Sequence, residues 1–285
     1  MPSLGLGLGL HRANRALFRG LLDQYGGAAA AYSLRALSSG WLAGDVVEVR
    51  RDADGATGII HKSFTEGEIN SGVMLAWVTE FSGTANGFVS TWYDQSGFAN
   101  DATQGTTTSQ PKIVDAGALV VGGEGNPTLR LDGVDDYFDT LHTASATMTI
   151  FGTSMTAVTN DFLLDMRDSG SDGVFLLSAI NDSFSLKYNA VTITGSSGAS
   201  GDKISSFLTS NGSQKVRING AEVASGSDAT AISVTTTTKI GVRNFATQDS
   251  NLWLGDISEI IIYDSDQSAN FAAIETNINA FYTLY

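Results

Sequence analysis

Short alternating segments separated by turn residues run along most of this chain and limit its fold more than any other feature. In residues 215–223 (KVRINGAEV), Asn219-Gly220 lies between two alternating runs and predicts a β-hairpin with a type I′ turn. Further strands are predicted at residues 45–51, 87–93, 128–131, 162–166, 173–178, 183–188, 232–242 and 253–263. Most connections lack the helix of a dozen or so residues that a parallel α/β fold needs. The pattern therefore predicts an all-β protein, a two-sheet sandwich or jelly roll.

Helical patterns occur only at the two ends of the chain. Residues 11–22 (HRANRALFRGLL) are the one clearly basic stretch, and they predict a short amphipathic helix. Residues 267–282 place apolar side chains at helical spacing and predict a C-terminal helix. We divide the chain into an N-terminal arm, residues 1–27, and a jelly-roll domain, residues 28–285.

The N-terminal arm has two interpretations. It either packs on its own domain or docks on a larger, acidic assembly, because its arginines carry positive charge beside apolar side chains. The docking interpretation assigns the contact to Arg12, Arg15, Leu17, Phe18, Arg19, Leu21 and Leu22. Each apolar side chain of this set would contribute about 1.5–3 kcal/mol if fully buried.

The composition excludes several classes of partner and site. The formal net charge of −14 repels phosphate backbones, so no nucleic-acid partner is expected. The chain has no cysteine, which excludes disulfides, thiolate metal sites and cysteine nucleophiles. No segment approaches the roughly 18 apolar residues needed to span a bilayer, so no membrane insertion is expected.

Several segments together resemble a known family. They are AYSLRAL (31–37), VRRDADGAT (49–57), TWYDQSGFANDATQ (91–104), LRLDGVDDYF (129–138), the Asn219-Gly220 hairpin, and KIGVRN followed by LGDISEIIIYD (239–264). These segments resemble concanavalin A-like, laminin-G-like jelly-roll domains of bacteriophage virion proteins. The first three are also similar to the catalytic domain of α-L-arabinofuranosidase B. The resemblance covers residues 28–285 and implies a concanavalin A-like two-sheet jelly roll.

The resemblance also implies a function. It predicts a non-enzymatic structural protein of the phage virion, in a tail fibre, a baseplate or a capsid decoration, whose arm contacts other virion proteins. Many copies or a homo-oligomer are expected, because virion components repeat by symmetry. The exposed face would contact polysaccharide on the host surface. Two alternatives stay open: an arabinofuranosidase-like or polysaccharide-degrading glycoside hydrolase, and a secreted lectin or adhesin domain.

The hydrolase alternative needs paired carboxyls. Retaining glycosidases place two carboxyl groups about 5–5.5 Å apart, and inverting ones roughly 6.5–9.5 Å apart. Glu66 and Glu68 alternate but lie in a predicted loop, while Asp256 and Glu259 are three residues apart and should point to opposite faces of a strand. No catalytic residue is assigned, and the histidines are interpreted as structural polar residues.

Loop carboxylates and aromatic residues are the candidates for binding. Calcium is the one cofactor considered, because hard cations take six to eight oxygen ligands and laminin-G-like domains often bind it. Its predicted ligands are Asp52, Asp54, Asp135 and Asp136. A glycan would stack on an aromatic residue, and the candidate platforms are Trp41, Trp77, Trp92, Tyr93 and Trp253.

We assign the predicted glycan site to Trp92, Tyr93, Asp94 and Asp101. Trp92 and Tyr93 are neighbours in a predicted strand, so one of them should face the core. Asp94 to Gly97 should form the turn that follows, with Asp101 fixing the next loop through backbone hydrogen bonds. The question left for the structure is whether either aspartate also reaches a ligand.

Overall fold

A computed structural model describes residues 18–61, 67–156, 161–166, 175–180, 183–188, 191–196, 201–229, 237–243 and 251–285. Arg12, Arg15 and Leu17 of the predicted docking arm lie outside these ranges. The helices are α1 (Leu21–Gln24), α2 (Ser71–Val78) and α3 (Phe271–Tyr282). The strands are β1 (Ala30–Ser33), β2 (Asp45–Arg51), β3 (Thr57–His61), β4 (Gly87–Trp92), β5 (Ala102–Thr103), β6 (Lys112–Asp115), β7 (Ala118–Leu119), β8 (Leu129–Asp132), β9 (Phe138–Thr143), β10 (Met148–Thr156), β11 (Asp161–Asp165), β12 (Phe175–Ile180), β13 (Ser183–Tyr188), β14 (Val191–Ser196), β15 (Lys203–Ser210), β16 (Ser213–Ile218), β17 (Ala221–Ser227), β18 (Thr237–Ile240) and β19 (Leu254–Tyr263).

The strands form the two antiparallel sheets of a concanavalin A-like jelly roll, as predicted. The first sheet has the order β17-β16-β15-β10-β19, and the other edge of β19 pairs with both β1 and β8. The second sheet has the order β3-β2-β4-β5-β9-β18-β11-β12-β13-β14. Strand β6 pairs with β4 and β8 and so connects the two sheets.

Local sequence signals placed several elements correctly. Strands β2 and β13 have the predicted bounds. Asn219 and Gly220 take φ values of +48° and +79° between β16 and β17, which confirms the type I′ hairpin. These elements were predictable because alternation and turn chemistry are local properties of the chain.

Helix α2 was not predicted, and the expectation that helices occur only at the chain ends was wrong. Its residues, SGVMLAWV, are apolar on every side, so they show no 3.6-residue periodicity. The available signal was the N-cap: the Asn70 side chain accepts a hydrogen bond from the Val73 backbone N–H. Among the described residues, no helix has the length and apolar character to cross a membrane.

The main core fills the space between the two sheets. Ile150, Phe207 and Ile260 contribute from the first sheet, and Trp92 and Phe138 contribute from the second. The Trp92 ring lies 5.7 Å from Tyr32 and 6.3 Å from Phe138, centroid to centroid. Alternation makes this possible, because every second side chain of each strand points into the sandwich.

A second core lies outside the first sheet, under helix α3. Phe271, Ile274, Ile278 and Tyr282 form one stripe of the helix and pack on the outer face of β10, β15 and β19. Leu21 of α1 is fully buried in this second core. The side chain of Leu21 therefore serves its own domain, and its assignment as a docking residue is corrected.

The other described arm residues differ in exposure. Leu22 packs partly buried against the second core, Phe18 is half-buried beside Gly67, and Arg19 is exposed. Leu21 and Leu22 thus pack on their own domain. The helix predicted over residues 11–22 is corrected where it is described, because residues 18–20 are not helical and the short helix is α1; residues 11–17 lie outside the described residues. Docking by residues 1–17 stays a prediction.

Candidate functional site

The loop between β4 and β5 is held by one buried aspartate. Asp94 accepts hydrogen bonds from the backbone N–H groups of Ala31, Ser96 and Asn100 at 2.8–3.0 Å, and from Ser96 Oγ at 2.6 Å. Gly97 completes the turn with φ at +94°, a backbone conformation that suits glycine. Asp94 is thus the turn builder that the sequence predicted, and its oxygens are used inside the protein.

A cavity of about 370 Å³ opens beside this loop, at the end of the sandwich where β4 ends and β2 begins. Its lining, which we call the acidic cavity, consists of Trp41, Ala43, Gly44, Asp45, Tyr93, Asp94, Gly97, Ala99 and Asp101. The structure thereby brings Tyr93, Asp94 and Asp101 of the predicted glycan site together. Two aromatic side chains and three carboxylates converge there.

Trp41 is positioned in this cavity by two local contacts. Its indole Nε1 donates a hydrogen bond to the Asp45 carbonyl at 2.9 Å. Gly44 lies so close under the ring that a Cβ atom there would come within 2.6 Å of it. A residue larger than glycine at position 44 would therefore displace the indole ring.

Asp101 differs from Asp94 because only one of its carboxylate oxygens accepts a hydrogen bond within the described part of the protein. Its Oδ1 accepts the Asp94 backbone N–H at 2.9 Å, while its other oxygen accepts no hydrogen bond in the described part of the chain. Burial raises the pKa of Asp101, and the charges of Asp94 and Asp45 raise it further, although the Asp94 hydrogen bond opposes them. One oxygen of Asp101 is thus available to a ligand.

Trp92 does not belong to this site, and its assignment as a glycan platform was wrong. Its side chain is fully buried in the main core. The neighbouring Tyr93 is half-buried and lines the acidic cavity. Successive side chains of a strand point to opposite faces, so only one of the two could reach the surface.

The predicted calcium ligands separate into two groups. Asp135 and Asp136 do come together with Asp132, with one oxygen of each within 4.8 Å of the others. Asp52 instead accepts hydrogen bonds from Asn86, and Asp54 forms a bidentate pair with Arg51 at 2.8 Å. Asp52 and Asp54 are therefore committed to protein partners, and a calcium site at the remaining cluster stays a prediction.

The prediction that Asp256 and Glu259 point to opposite faces of their strand was wrong. A β-bulge at Ser258 inserts a residue opposite β10, so that Ile257 and Ile260 both enter the main core. Asp256 and Glu259 consequently share the outer face of the sheet. Each forms a bidentate pair with an arginine, Asp256 with Arg130 and Glu259 with Arg35, so both carboxylates have structural partners.

Sequence reasoning missed Asp45 as part of the site. The alternation of residues 45–51 marked Asp45 only as the start of a strand. Trp41 is one of five candidate aromatic platforms in the sequence, and no local pattern distinguishes it from the other four. Both residues reach the cavity because β2 pairs with β4, a contact between segments that are far apart in sequence.

Comparisons with known proteins agree with this fold. No family model matches the chain, and no curated protein matches it significantly. A mutant GH54 α-L-arabinofuranosidase soaked with 4-nitrophenyl α-L-arabinofuranoside matches with a TM-score of 0.69 at 16% identity. An arabinofuranosidase complexed with arabinofuranosyl-α-1,2-xylobiose matches with a TM-score of 0.64 at 15% identity. Both matches cover 90% of this chain and 63% of the other.

A third match is partial. A Ruminococcus gnavus sialidase CBM40 bound to α2,3-sialyllactose covers 46% of this chain and 83% of its own, with 16% identity and a TM-score of 0.40. That score is too low to indicate a shared fold.

These comparisons show the fold of the chain. The chain is a β-sandwich of jelly-roll type that shares its fold with arabinofuranosidases, in agreement with the resemblance read from its sequence. It spans 63% of the length of those enzymes. The likeness to phage virion proteins has no support in these matches.

Proposed function

We propose that this protein is a glycan-binding jelly-roll domain and that the acidic cavity is its binding site. The observation that carries the proposal is the convergence of Trp41 and Tyr93 with Asp45 and Asp101 in one cavity at the end of the sandwich. Aromatic faces stack on the apolar faces of sugar rings, while carboxylate oxygens accept hydrogen bonds from hydroxyl groups. The fold shared with carbohydrate-active proteins supports this interpretation.

The electrostatics of the cavity favour a neutral sugar. Among the described residues, its lining has three aspartates and no lysine or arginine. A uronic or sialic acid placed there would meet like charges in a partly desolvated site, which is unfavourable. We therefore expect neutral glycans to bind in preference to acidic ones.

Affinity electrophoresis tests this proposal. Gels would contain arabinoxylan, galactomannan or β-glucan as neutral polymers, and polygalacturonate or alginate as acidic ones. At least one neutral polymer should retard the wild-type protein, and Tyr93→Ala and Trp41→Ala should each abolish the retardation. Tyr285→Ala is the matched control, since Tyr285 is 52% exposed and does not line the cavity. Equal retardation of all variants would refute the site.

A second candidate function is glycoside hydrolysis, and the raised pKa of Asp101 favours it. A general acid in a glycosidase is a carboxyl group with a raised pKa near a second carboxyl group. Asp101 is the carboxyl group with the raised pKa, and Asp45 lines the same cavity as the second carboxyl group. Release of reducing sugar from the neutral polymers, lost in Asp101→Asn, would establish the hydrolase. Binding without sugar release would favour the non-enzymatic protein that we propose.

The setting that we propose for this binding is the surface of a phage particle, with attachment through the segment before residue 18. This part of the proposal derives from the sequence resemblance. Mass spectrometry of purified particles tests it, because a virion protein is found there in many copies. If this protein is found only in the secreted fraction of a cell culture, that result would instead support the lectin or adhesin alternative.

A further inference from the structure

A second cavity, of about 350 Å³, lies on the opposite side of the β4–β5 loop. Its lining, which we call the histidine cavity, consists of Ala29, Phe98, Asn100, Leu141, His142, Thr143 and Asp264. Phe98 and Asn100 come from the β4–β5 loop and the others from the start of β1 or the ends of β9 and β19, at the same end of the sandwich as the acidic cavity. The two cavities therefore open on one surface.

Only the backbone of the β4–β5 loop separates the two cavities. Gly97, Ala99 and Asp101 line the acidic cavity, whereas Phe98 and Asn100 line the histidine cavity. The loop therefore presents one face to each cavity. A ligand longer than one sugar unit could pass over this loop and occupy both.

The rim of the histidine cavity exposes large apolar side chains. Phe98 is 68% exposed and Leu141 is 70% exposed. The loop that carries Phe98 is well ordered by hydrogen bonds, since Phe98 N–H donates to Ser96 Oγ at 3.2 Å and Asp94 holds the residues on both sides. An exposed aromatic ring on a preorganised backbone loses little entropy on binding, as expected of a contact residue.

The floor of the histidine cavity is polar, and hydrogen bonds hold its side chains in place. Thr238 Oγ1 donates to the His142 carbonyl at 3.0 Å and lies 2.9 Å from His142 Nδ1, which fixes the imidazole ring. His142 Nε2 lies 3.1 Å from Asp264 Oδ1. Asp264 remains 41% exposed, so its carboxylate can accept hydrogen bonds from a hydroxylated ligand.

We propose that the histidine cavity is a second subsite for the glycan, which crosses over Phe98 and places neighbouring sugar units in the two cavities. This inference rests on the proposed function of the acidic cavity. It identifies the ligand as an oligosaccharide or the interior of a polysaccharide. As in the acidic cavity, the part of the chain that the structure describes places no lysine or arginine in the lining of this subsite, so the same neutral sugars are favoured.

Calorimetry with oligosaccharides of increasing length tests the second subsite. The probes are size-fractionated fragments of arabinoxylan, galactomannan and β-glucan, from monosaccharides to hexasaccharides. Wild-type affinity should increase roughly tenfold or more once a fragment is long enough to occupy both cavities. Phe98→Ala and Leu141→Ala should remove that increase and leave binding of the shortest fragments unchanged. Tyr93→Ala should weaken binding at every length.

The possible failures are distinguishable. If Tyr93→Ala abolishes binding while Phe98→Ala binds every fragment like the wild type, the acidic cavity is a binding site and the second subsite is disproved. If wild-type affinity is independent of length, the second subsite is likewise disproved. If no fragment binds, the proposed function and this inference both fail. Phe98→Ala and Leu141→Ala should melt like the wild type, because both side chains are mostly exposed.

Discussion

Arg35 and Glu259 form a bidentate ion pair beneath helix α3, with Nε–Oε2 and Nη2–Oε1 distances of 2.7 and 2.9 Å. Both side chains are buried, and Ser33 Oγ also donates to the Glu259 carboxylate at 2.7 Å. Asn277 of the helix accepts a third hydrogen bond from the guanidinium. The pair therefore connects residue 35, the centre of β19 and the C-terminal helix.

Replacing one partner of this pair should be strongly destabilising. Glu259→Gln leaves a buried guanidinium without its counter-charge, and we expect a loss of about 3–5 kcal/mol in the free energy of unfolding, measured by urea titration. The control is Glu222→Gln, which breaks the exposed pair with Lys215 and should change stability by less than about 1 kcal/mol. Similar losses in the two variants would contradict the role assigned to Glu259.

Asp136 should make stability depend on pH. Burial, with the Asp132 charge as the next cause, raises its pKa from 3.8 to about 7. The folded state therefore binds a proton that the unfolded state releases between about pH 4 and 7, and stability falls as the pH rises through that window. Asp136→Asn removes this loss and should stabilise the protein by about 1–3 kcal/mol at pH 8, with little effect at pH 4.

Thermal melts across this pH range would check the Asp136 prediction. A parallel shift of the two melting curves at all pH values would rule it out. The same melts with calcium or with a chelator would test the Asp132, Asp135 and Asp136 cluster, because a bound cation opposes the proton and stabilises the folded state.

Asp94→Ala should damage both the fold and the binding surface. It leaves the N–H groups of Ala31, Ser96 and Asn100 without their acceptor, and we expect a loss of roughly 2–4 kcal/mol. Amide hydrogen exchange should accelerate at these positions more than in β13, which lies between β12 and β14 in the second sheet. Unchanged exchange in residues 94–101 would show that the loop holds its shape without Asp94.

Trp92 and Tyr93 should respond oppositely to truncation. Trp92→Ala opens a cavity in the main core and should cost about 3–5 kcal/mol. Tyr93→Ala should cost much less stability and instead lose glycan binding, since its ring lines the acidic cavity. Urea titration and affinity electrophoresis of the two variants would separate these effects, and a glycan-binding defect in a folded Trp92 variant would contradict the assignment.

Leu21→Ala tests where the domain begins. Leu21 is fully buried against α3 in the second core, so truncating its side chain should cost about 2–5 kcal/mol. Leu22→Ala is the matched control, since Leu22 is only partly buried, and it should cost clearly less. Equal and negligible losses in the two variants would restore the assignment of Leu21 as a docking residue.

The candidate site could be predicted only in part. The segment TWYDQSGFANDATQ supplied Tyr93, Asp94 and Asp101 from its own chemistry, because aspartate and glycine after an alternating strand indicate an ordered turn. Trp41 and Asp45 could not be added, since they join the cavity through the pairing of β2 with β4. The histidine cavity needed contacts among three separate strands and was not predicted.

The sequence by itself determined the all-β class, the hairpin at Asn219-Gly220 and the C-terminal helix, because strand alternation, turn chemistry and helical spacing are local properties. Only the tertiary structure decided that Trp92 faces the core and Tyr93 faces the acidic cavity, since either side of a strand could have been covered. It also decided that the bulge at Ser258 brings Asp256 and Glu259 to one face. Each of these outcomes depends on partner strands that are distant in sequence, and local patterns carry no information about them.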